Sequence, residues 1–373
     1  MIRIGLQLHF QDHYDTEVAI GVLDYARKKS DWEINGQGYW FQNSHERLDG
    51  LIARIESQEE MDACEQLQVP VVDIAGAIKS DHFSVVSNDD WNTGMQCGVY
   101  MRGLGASHYA MCVASGTSWS HQRMLGFCNG CGINIEKLPY FAKSLDWWQN
   151  LYVEKTPALE QWLLGLPKPV CLFCCNDLSA MKVTMVLRRL NISIPNEVAI
   201  LGVDNEELLC MLAKPTISSM ELQLKKIGYK AAEVLDLILT CASKGRTIIE
   251  IPPRNVVERE STAIIMESDR LVAQALRIIK EKGSSGICAQ DVIDKLPCSR
   301  RTIENHFRKA KGRTLNAEIQ DTRLALAVSL LRTTDHSICQ IREESGFGSL
   351  QRFYSVFHDK YGTSPADWRK KQR

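Results

Sequence analysis

The stretch from Ser337 to Pro365 constrains this 373-residue chain more than any other. Ile338 and Ile341 share one face of a short helix, and Gly346 and Gly348 break that helix into a tight turn. A second helix is predicted from Ser349 to about Tyr361. In it Leu350, Phe353, Phe357 and Tyr361 recur at helical spacing and form the side to be buried. Gln351, Ser355 and His358 lie opposite, with Arg352 on the flank. An apolar back and a hydrogen-bonding front after a glycine turn make a helix-turn-helix pattern, whose second helix enters the major groove of DNA. Gly362 and Pro365 are expected to end the unit.

The same plan is expected upstream. Ser268 or Asp269 caps a helix holding Leu271, Val272, Ala275, Leu276 and Ile279. A helix near Ala289 to Lys295, a turn at Pro297-Cys298 and a helix from Ser299 to about Ala310 then follow. There Ile303 and Phe307 face in, while Arg301, Asn305, Arg308 and Lys309 face out. A connecting helix from Leu315 to Leu331, with an apolar stripe of Ile319, Leu324, Ala327 and Leu331, holds the two reading helices at a fixed separation. They then suit successive major-groove turns about 34 Å apart. The candidate DNA-contacting residues are Arg301, Asn305 and Arg308 on the first reader and Gln351, Arg352 and Ser355 on the second. Arg301 and Arg352 suit either phosphate or base contact. Charge points the same way. Residues 270–373 carry 20 Lys+Arg and 11 Asp+Glu, a net of +9, while the rest carries 24 and 34, a net of −10. Only the C-terminal part is built to meet a polyanion.

Ahead of it, strand and helix patterns alternate. Strands are predicted at Ile2 to Leu8, Gly50 to Ile55, Val69 to Ala75, His82 to Ser87, Tyr109 to Ala114, Pro169 to Cys175, Val198 to Val203 and Ile217 to Met220. Thr262 to Met266 finishes the last strand, and helices fill the intervals. The length suits two doubly wound α/β lobes with a cleft between them, where ligands meet the carboxyl ends of strands. The polar groups at those ends are Asn88, Asp89, Asp90, Arg123, Asn176, Asp177 and Asp204. Carboxylates and amides grip vicinal hydroxyls, and Trp91 and Trp119 suit the apolar face of a sugar ring. Asn and Asp are also favoured helix caps, and Asp177 before Leu178-Ser179-Ala180 fits that role as well.

Other classes are excluded or weakened. No run of about 18 apolar residues appears, so no membrane span is expected. Met1 to Gly5 reads as a strand, not a signal peptide. Thirteen cysteines without a framework, three of them in the apolar run Cys171, Cys174 and Cys175, point to reduced thiols and a cytoplasmic location. Cys128/Cys131 and Cys171/Cys174 have zinc-pair spacing, but the second pair lies in a predicted strand, where residues three apart point to opposite faces, and buried thiols are the plainer reading, so neither a metal nor a cofactor is expected. Dinucleotide, phosphate-loop and serine-hydrolase motifs are all missing. A sugar-processing enzyme on the same lobes would need a nucleophile or a poised acid/base pair, and none is legible.

The run Ser345-Gly346-Phe347, Phe353, Phe357 and Gly362-Thr363-Ser364-Pro365 resembles the second helix-turn-helix of the AraC/XylS family of transcription regulators. Gly202-Val203-Asp204-Asn205, Asn176-Asp177 and Arg123 to Phe127 resemble the lactose-repressor-type, periplasmic-binding-protein-like effector domain, over residues 2 to 262. That family carries its DNA-binding module at the N-terminus, whereas here it follows the lobes. The resemblance implies that Arg123, Asn176 and Asp204 contact the effector, with Asp89, Asp177 and Trp119 as further candidates. With Ile200 to Leu208, Ile227 to Ala232 and Ile251 to Arg254, the combination resembles regulators of the xylose type. The expectation is therefore a periplasmic-binding-like effector domain over residues 1–262 and an all-α domain with two helix-turn-helix motifs over 263–373. The implied partners are operator DNA, a small sugar (D-xylose first, another pentose or related sugar as the alternative), a second copy of the chain, and RNA polymerase.

Overall fold

The computed structural model describes residues 1–36, 47–78, 80–151, 156–240, 245–263 and 270–372. Its strands, in chain order, are β1 (Ile2–Gln7), β2 (Trp32–Asn35), β3 (Gly50–Ala53), β4 (Val71–Asp73), β5 (Ser84–Asn88), β6 (His108–Ala114), β7 (Tyr140–Lys143), β8 (Val170–Cys174), β9 (Val198–Asp204), β10 (Ser218–Glu221), β11 (Ile248–Ile251) and β12 (Val256–Val257). Between them run α1 (His13–Ala26), α2 (Gln58–Gln66), α3 (Asp90–Gly103), α4 (Ser118–Cys131), α5 (Leu145–Gln149), α6 (Pro157–Gly165), α7 (Asp177–Arg189), α8 (Glu207–Leu212) and α9 (Leu224–Leu239). The C-terminal part is helical: α10 (Arg270–Lys282), α11 (Ala289–Ile293), α12 (Arg300–Lys311), α13 (Leu315–Thr333), α14 (Ile338–Glu344), α15 (Leu350–Tyr361) and α16 (Pro365–Gln372).

Contacts divide the chain into two compact units, one of Met1–Asp89, Thr117–Trp119 and Glu221–Asn255, the other of Asp90–Gly116, Ser120–Met220 and Val256–Arg373. The first holds a six-stranded sheet of order β11-β5-β4-β3-β1-β2, parallel in every described pairing. The second sheet has order β12-β10-β9-β8-β6-β7, with β12 antiparallel to β10. Central strands such as Val170–Cys174 are buried at every residue. A parallel sheet covered on both faces requires such a run in place of alternation.

In the second unit α3 and α4 touch backbone to backbone. A Cβ added at Gly94 would stand 1.9 Å from the Arg123 carbonyl oxygen, and one at Gly126 would stand 1.9 Å from that of Trp91. Gly98 and Gly130 meet the facing helix in the same way, one turn further on. The all-helical part has two cores strung on one helix. The start of α13 (Leu315, Ile319) packs with Val272, Leu276, Ile279, Ile303 and Phe307. Its later turns (Leu324, Ala327, Val328, Leu331) pack with Ile341, Phe347, Phe353, Phe357 and Trp368.

Several expectations need correction. Leu350 is 40% exposed, because as the first residue of α15 it projects past the end of the core, and Val356 takes its place in the buried stripe. Gly346 has φ +80°, and a Cβ there would stand 2.6 Å from the Ser284 carbonyl oxygen. Gly348 has open space around it and no positive φ, so only the first glycine is required by the turn. Pro365 does not end the unit; it opens α16, whose Trp368 packs edge-on against Phe357. Thr262 lies in a 3-10 turn (Glu260–Thr262), not a strand. The caps expected at Ser268 or Asp269, and the rest of that strand to Met266, lie outside the described residues.

Gly94→Ala should cost about 1–3 kcal/mol or more, since neither backbone can yield easily. Gly165→Ala, with nothing within 4 Å, should stay within about 0.5 kcal/mol. Urea unfolding of both variants checks the contrast.

Candidate functional site

At the strand ends of the second unit, the polar residues fall into two groups. Arg123, on α4, is 3% exposed. Its Nε donates to Asp90 Oδ1 at 2.8 Å and its NH1 to the Cys175 carbonyl at 2.7 Å. Burial opposes its charge, but the carboxylates of Asp90 and Asp204 outweigh that and hold the guanidinium above its ordinary range. Asp204 ends β9 at φ +105°, followed by Asn205 at φ +53°. Non-glycine residues rarely adopt such angles, and the strain persists only where neighbours over-determine it.

Those neighbours form the second group. Asp177 Oδ2 accepts from the Glu206 backbone N–H at 2.9 Å, and its Oδ1 from Ser219 Oγ at 2.6 Å. Ser219 Oγ accepts from the Asn205 N–H at 3.0 Å, and Asn205 Oδ1 from Arg259 at 2.7 Å. Asp177 thus braces the turn that presents Asp204. It is not the helix cap that its position suggested: Asn176 is, accepting from the Ser179 N–H at 2.9 Å. The N-cap position of α8, which starts at Glu207, is Glu206 and not Asp204.

Asp89 is buried, with its N–H donating to the Ile251 carbonyl, while the adjacent Asp90 holds Arg123. No signal in the sequence separates these two neighbouring carboxylates. Trp119 is half-buried in the first turn of α4. Trp91 corrects the sugar-stacking expectation: its ring lies under the Arg332 guanidinium, 4.8 Å from the carbon, at the edge of the second helical core. In the first unit, Asn88 Nδ2 donates to Tyr14 Oη at 3.0 Å, and its buried Oδ1 has no partner among the described residues. Arg54 there binds Asp12, Asp15 and Glu56, a cluster the sequence reading missed.

On the helical side, Arg301, Asn305, Arg308, Gln351, Arg352 and Ser355 are all exposed, as are His306 and His358. Ser299 and Ser349 cap the two readers by accepting from the Thr302 and Arg352 N–H groups. The helical cores are not self-contained, however. Met95 of α3 belongs to the second, with Trp91 and Val99 packed beside it. Arg102, 4% exposed, pairs with Glu318 and Asp321 of α13, and Gln96 donates to Ser329 Oγ at 3.0 Å. Burial opposes the charge of Asp321, but Lys360, Arg102 and Arg313 outweigh it and keep the carboxyl below its usual range. Trp91, Met95, Val99 and Arg102 follow one another at helical spacing, and that stripe was the missed signal.

Among the described residues no group of three or more His, Cys, Asp or Glu side chains is placed to hold a metal, and no helix is long and apolar enough to cross a membrane. The twelve described cysteines are free, nine of them buried, including both pairs with zinc spacing.

Residues 100–262 match a periplasmic binding protein-like domain, and residues 292–371 match a helix-turn-helix domain. The chain is a transcription regulator that joins a periplasmic-binding-like domain to a helix-turn-helix domain. It is 27% identical to the xylose operon regulatory protein of Haemophilus influenzae, with 98% of both chains covered. Identity to the protein of the same name from Escherichia coli K12 is 28%, covering 98% of this regulator and 96% of the relative. A solved structure of the xylose-binding transcription activator XylR superposes with a TM-score of 0.61 at 27% identity, covering 99% of the regulator and 98% of that chain. These relatives are regulators, not enzymes, so the alternative of a sugar-processing enzyme falls away.

Burial pushes Asp177 up to about 7, despite the bonds from Ser219 and Glu206. In the unfolded chain an aspartate titrates near about 3.9. The folded state therefore binds the proton more tightly. The group's contribution to stability is full below about pH 4 and is lost as pH rises through about 7. Asp177→Asn should flatten this part of the pH dependence, measured by urea unfolding across pH 4 to about 8. An unchanged slope would assign the dependence to another group.

Proposed function

We propose that the regulator binds D-xylose through Arg123, Asn176 and Asp204, with Asp90 holding Arg123 in place, and that the bound sugar changes its affinity for operator DNA. The observation that carries this reading is the buried Arg123, gripped by Asp90, with the strained Asp204 carboxylate in its field. Fixed, desolvated charge beside an aimed acceptor is what a polyol needs, and likeness to proteins named for xylose regulation supports the choice of sugar. Residues 1–262 then form the sensor and 263–373 the DNA-binding domain. Asp177 acts through Asp204, by bracing its turn. The regulator works in the cytoplasm as a homodimer and meets RNA polymerase at the promoter; its free thiols fit a reducing compartment. The nearer rival keeps the mechanism but exchanges the sugar for another pentose, because the same groups grip any vicinal diol.

Asp204→Ala should weaken xylose binding by one to several powers of ten, each worth about 1.4 kcal/mol. Its melting temperature, measured beside the affinity, separates loss of a ligand contact from loss of folding. Calorimetric titration against xylose, ribose and arabinose checks this and separates the sugars. Unchanged affinity for all three would sink the ligand role.

Arg301→Ala and Gln351→Ala should each weaken specific DNA binding by about 1–3 kcal/mol and leave sugar affinity intact. The readout is fluorescence anisotropy on a duplex that the wild-type chain selects from a random pool. Undiminished affinity in both would place the reading faces elsewhere.

A further inference from the structure

We propose that Arg102 is the residue through which the sugar site controls both reading helices. The proposal rests on the sugar-sensing reading above and adds the route by which the signal leaves the site. The route begins at Asp90, which opens α3 and holds Arg123. Gly94 and Gly126 fix α3 against α4 at backbone distance, so the two helices move as one body. Arg102 lies near the C-terminal end of α3, on the stripe beside the glycines that meets α13.

Arg102 meets a shared set of charges. Its Nε lies 3.8 Å from Glu318 Oε1 and its NH1 3.7 Å from Asp321 Oδ2. The same two carboxylates bind Arg313, which lies 2.6 Å from Asp321 and also pairs with Glu318. Asp321 additionally takes Lys360 at 2.6 Å. Arg313 directly follows Gly312, the C-cap of α12. Lys360 is the penultimate residue of α15. The C-terminal ends of both readers therefore converge on two carboxylates that α3 also holds. Beside them, Lys311 at the end of α12 donates to the Gly105 carbonyl at 3.2 Å.

The charge count gives the hub a direction. Three cations, Arg102, Arg313 and Lys360, share two carboxylates, and Arg102 makes the longest contacts. Withdrawal of Arg102 leaves a balanced set of two and two, which tightens on the readers. Its approach competes with Arg313 and Lys360 for the same oxygens. A displacement of α3 that changes nothing else thus alters how the ends of both readers are held, in the same step. A ligand can shift such an equilibrium only by its differential affinity for the two arrangements, and Arg123 and Asp90 supply the link at the sugar end.

The test uses the full chain and three variants, Arg102→Gln, Arg102→Lys and Lys360→Gln. Anisotropy on the pool-selected duplex, with and without saturating D-xylose, gives the ratio of DNA affinities, which for a coupled regulator is about 5–150-fold. Calorimetry gives xylose binding by the same samples. Arg102→Gln should bind both xylose and DNA while its ratio falls to within about twofold of one, and Arg102→Lys should restore part of it. Lys360→Gln removes a partly exposed side chain and does not threaten the fold. It should lower the ratio with xylose affinity unchanged. A wild-type ratio retained in both Arg102→Gln and Lys360→Gln would overturn the coupling role and leave the sugar reading intact. A wild-type chain that binds the duplex but answers to no sugar would overturn both.

Discussion

Two helices of the second unit touch backbone to backbone, and much of what surrounds them depends on that contact. Helix axes normally stand 8–10 Å apart because side chains separate them. Glycines at 94 and 98 on α3, and at 126 and 130 on α4, remove that layer. The close approach puts the start of α3 within reach of Arg123, so Asp90 can neutralise an otherwise buried cation. It also commits one face of α3 to α4 and leaves another for α13. The candidate site and the helical domain thus meet neighbouring stripes of a single fourteen-residue helix.

The charges along that second face are poor candidates for plain stabilisation. Removing ions from water costs as much as their attraction returns, and hydrophobic replacements are often neutral or better. What Arg102, Glu318, Asp321, Arg313 and Lys360 supply is a defined register of α13 on α3, which the neighbouring contacts of Trp91, Met95 and Val99 alone would leave free to slide.

Much of this was legible in the sequence. The strands that span the middle of each sheet, the capped readers and the inward Ile303, Phe307, Phe353 and Phe357 follow from periodicity, because each is buried in a continuous pattern. The edge strands β2 and β7 escaped, being four residues long and only partly buried, so that no run marks them. At the candidate site, Arg123, Asn176 and Asp204 were visible as polar groups after apolar runs. Their division of labour was not. Asp177 and Asn176 differ only in which way each carboxyl or amide turns, and the brace from Asp177 spans residues far apart in the chain, to Glu206 and Ser219. Trp91 was misread because an aromatic residue after a strand suits a sugar as well as a helix, and only the stripe it shares with Met95 and Val99 distinguishes them.

The nineteen-residue α13 belongs to both helical cores and so acts as a ruler with an angular scale. At 3.6 residues per turn, each residue added to or removed from its middle would swing one reader about 100° around the other while moving it only about 1.5 Å. In the proposed reading, the two DNA elements therefore keep a fixed angular phase around the duplex. Drift in the length of α13 is barred far more strictly than drift in its surface residues, and promoters that share this regulator inherit its phase.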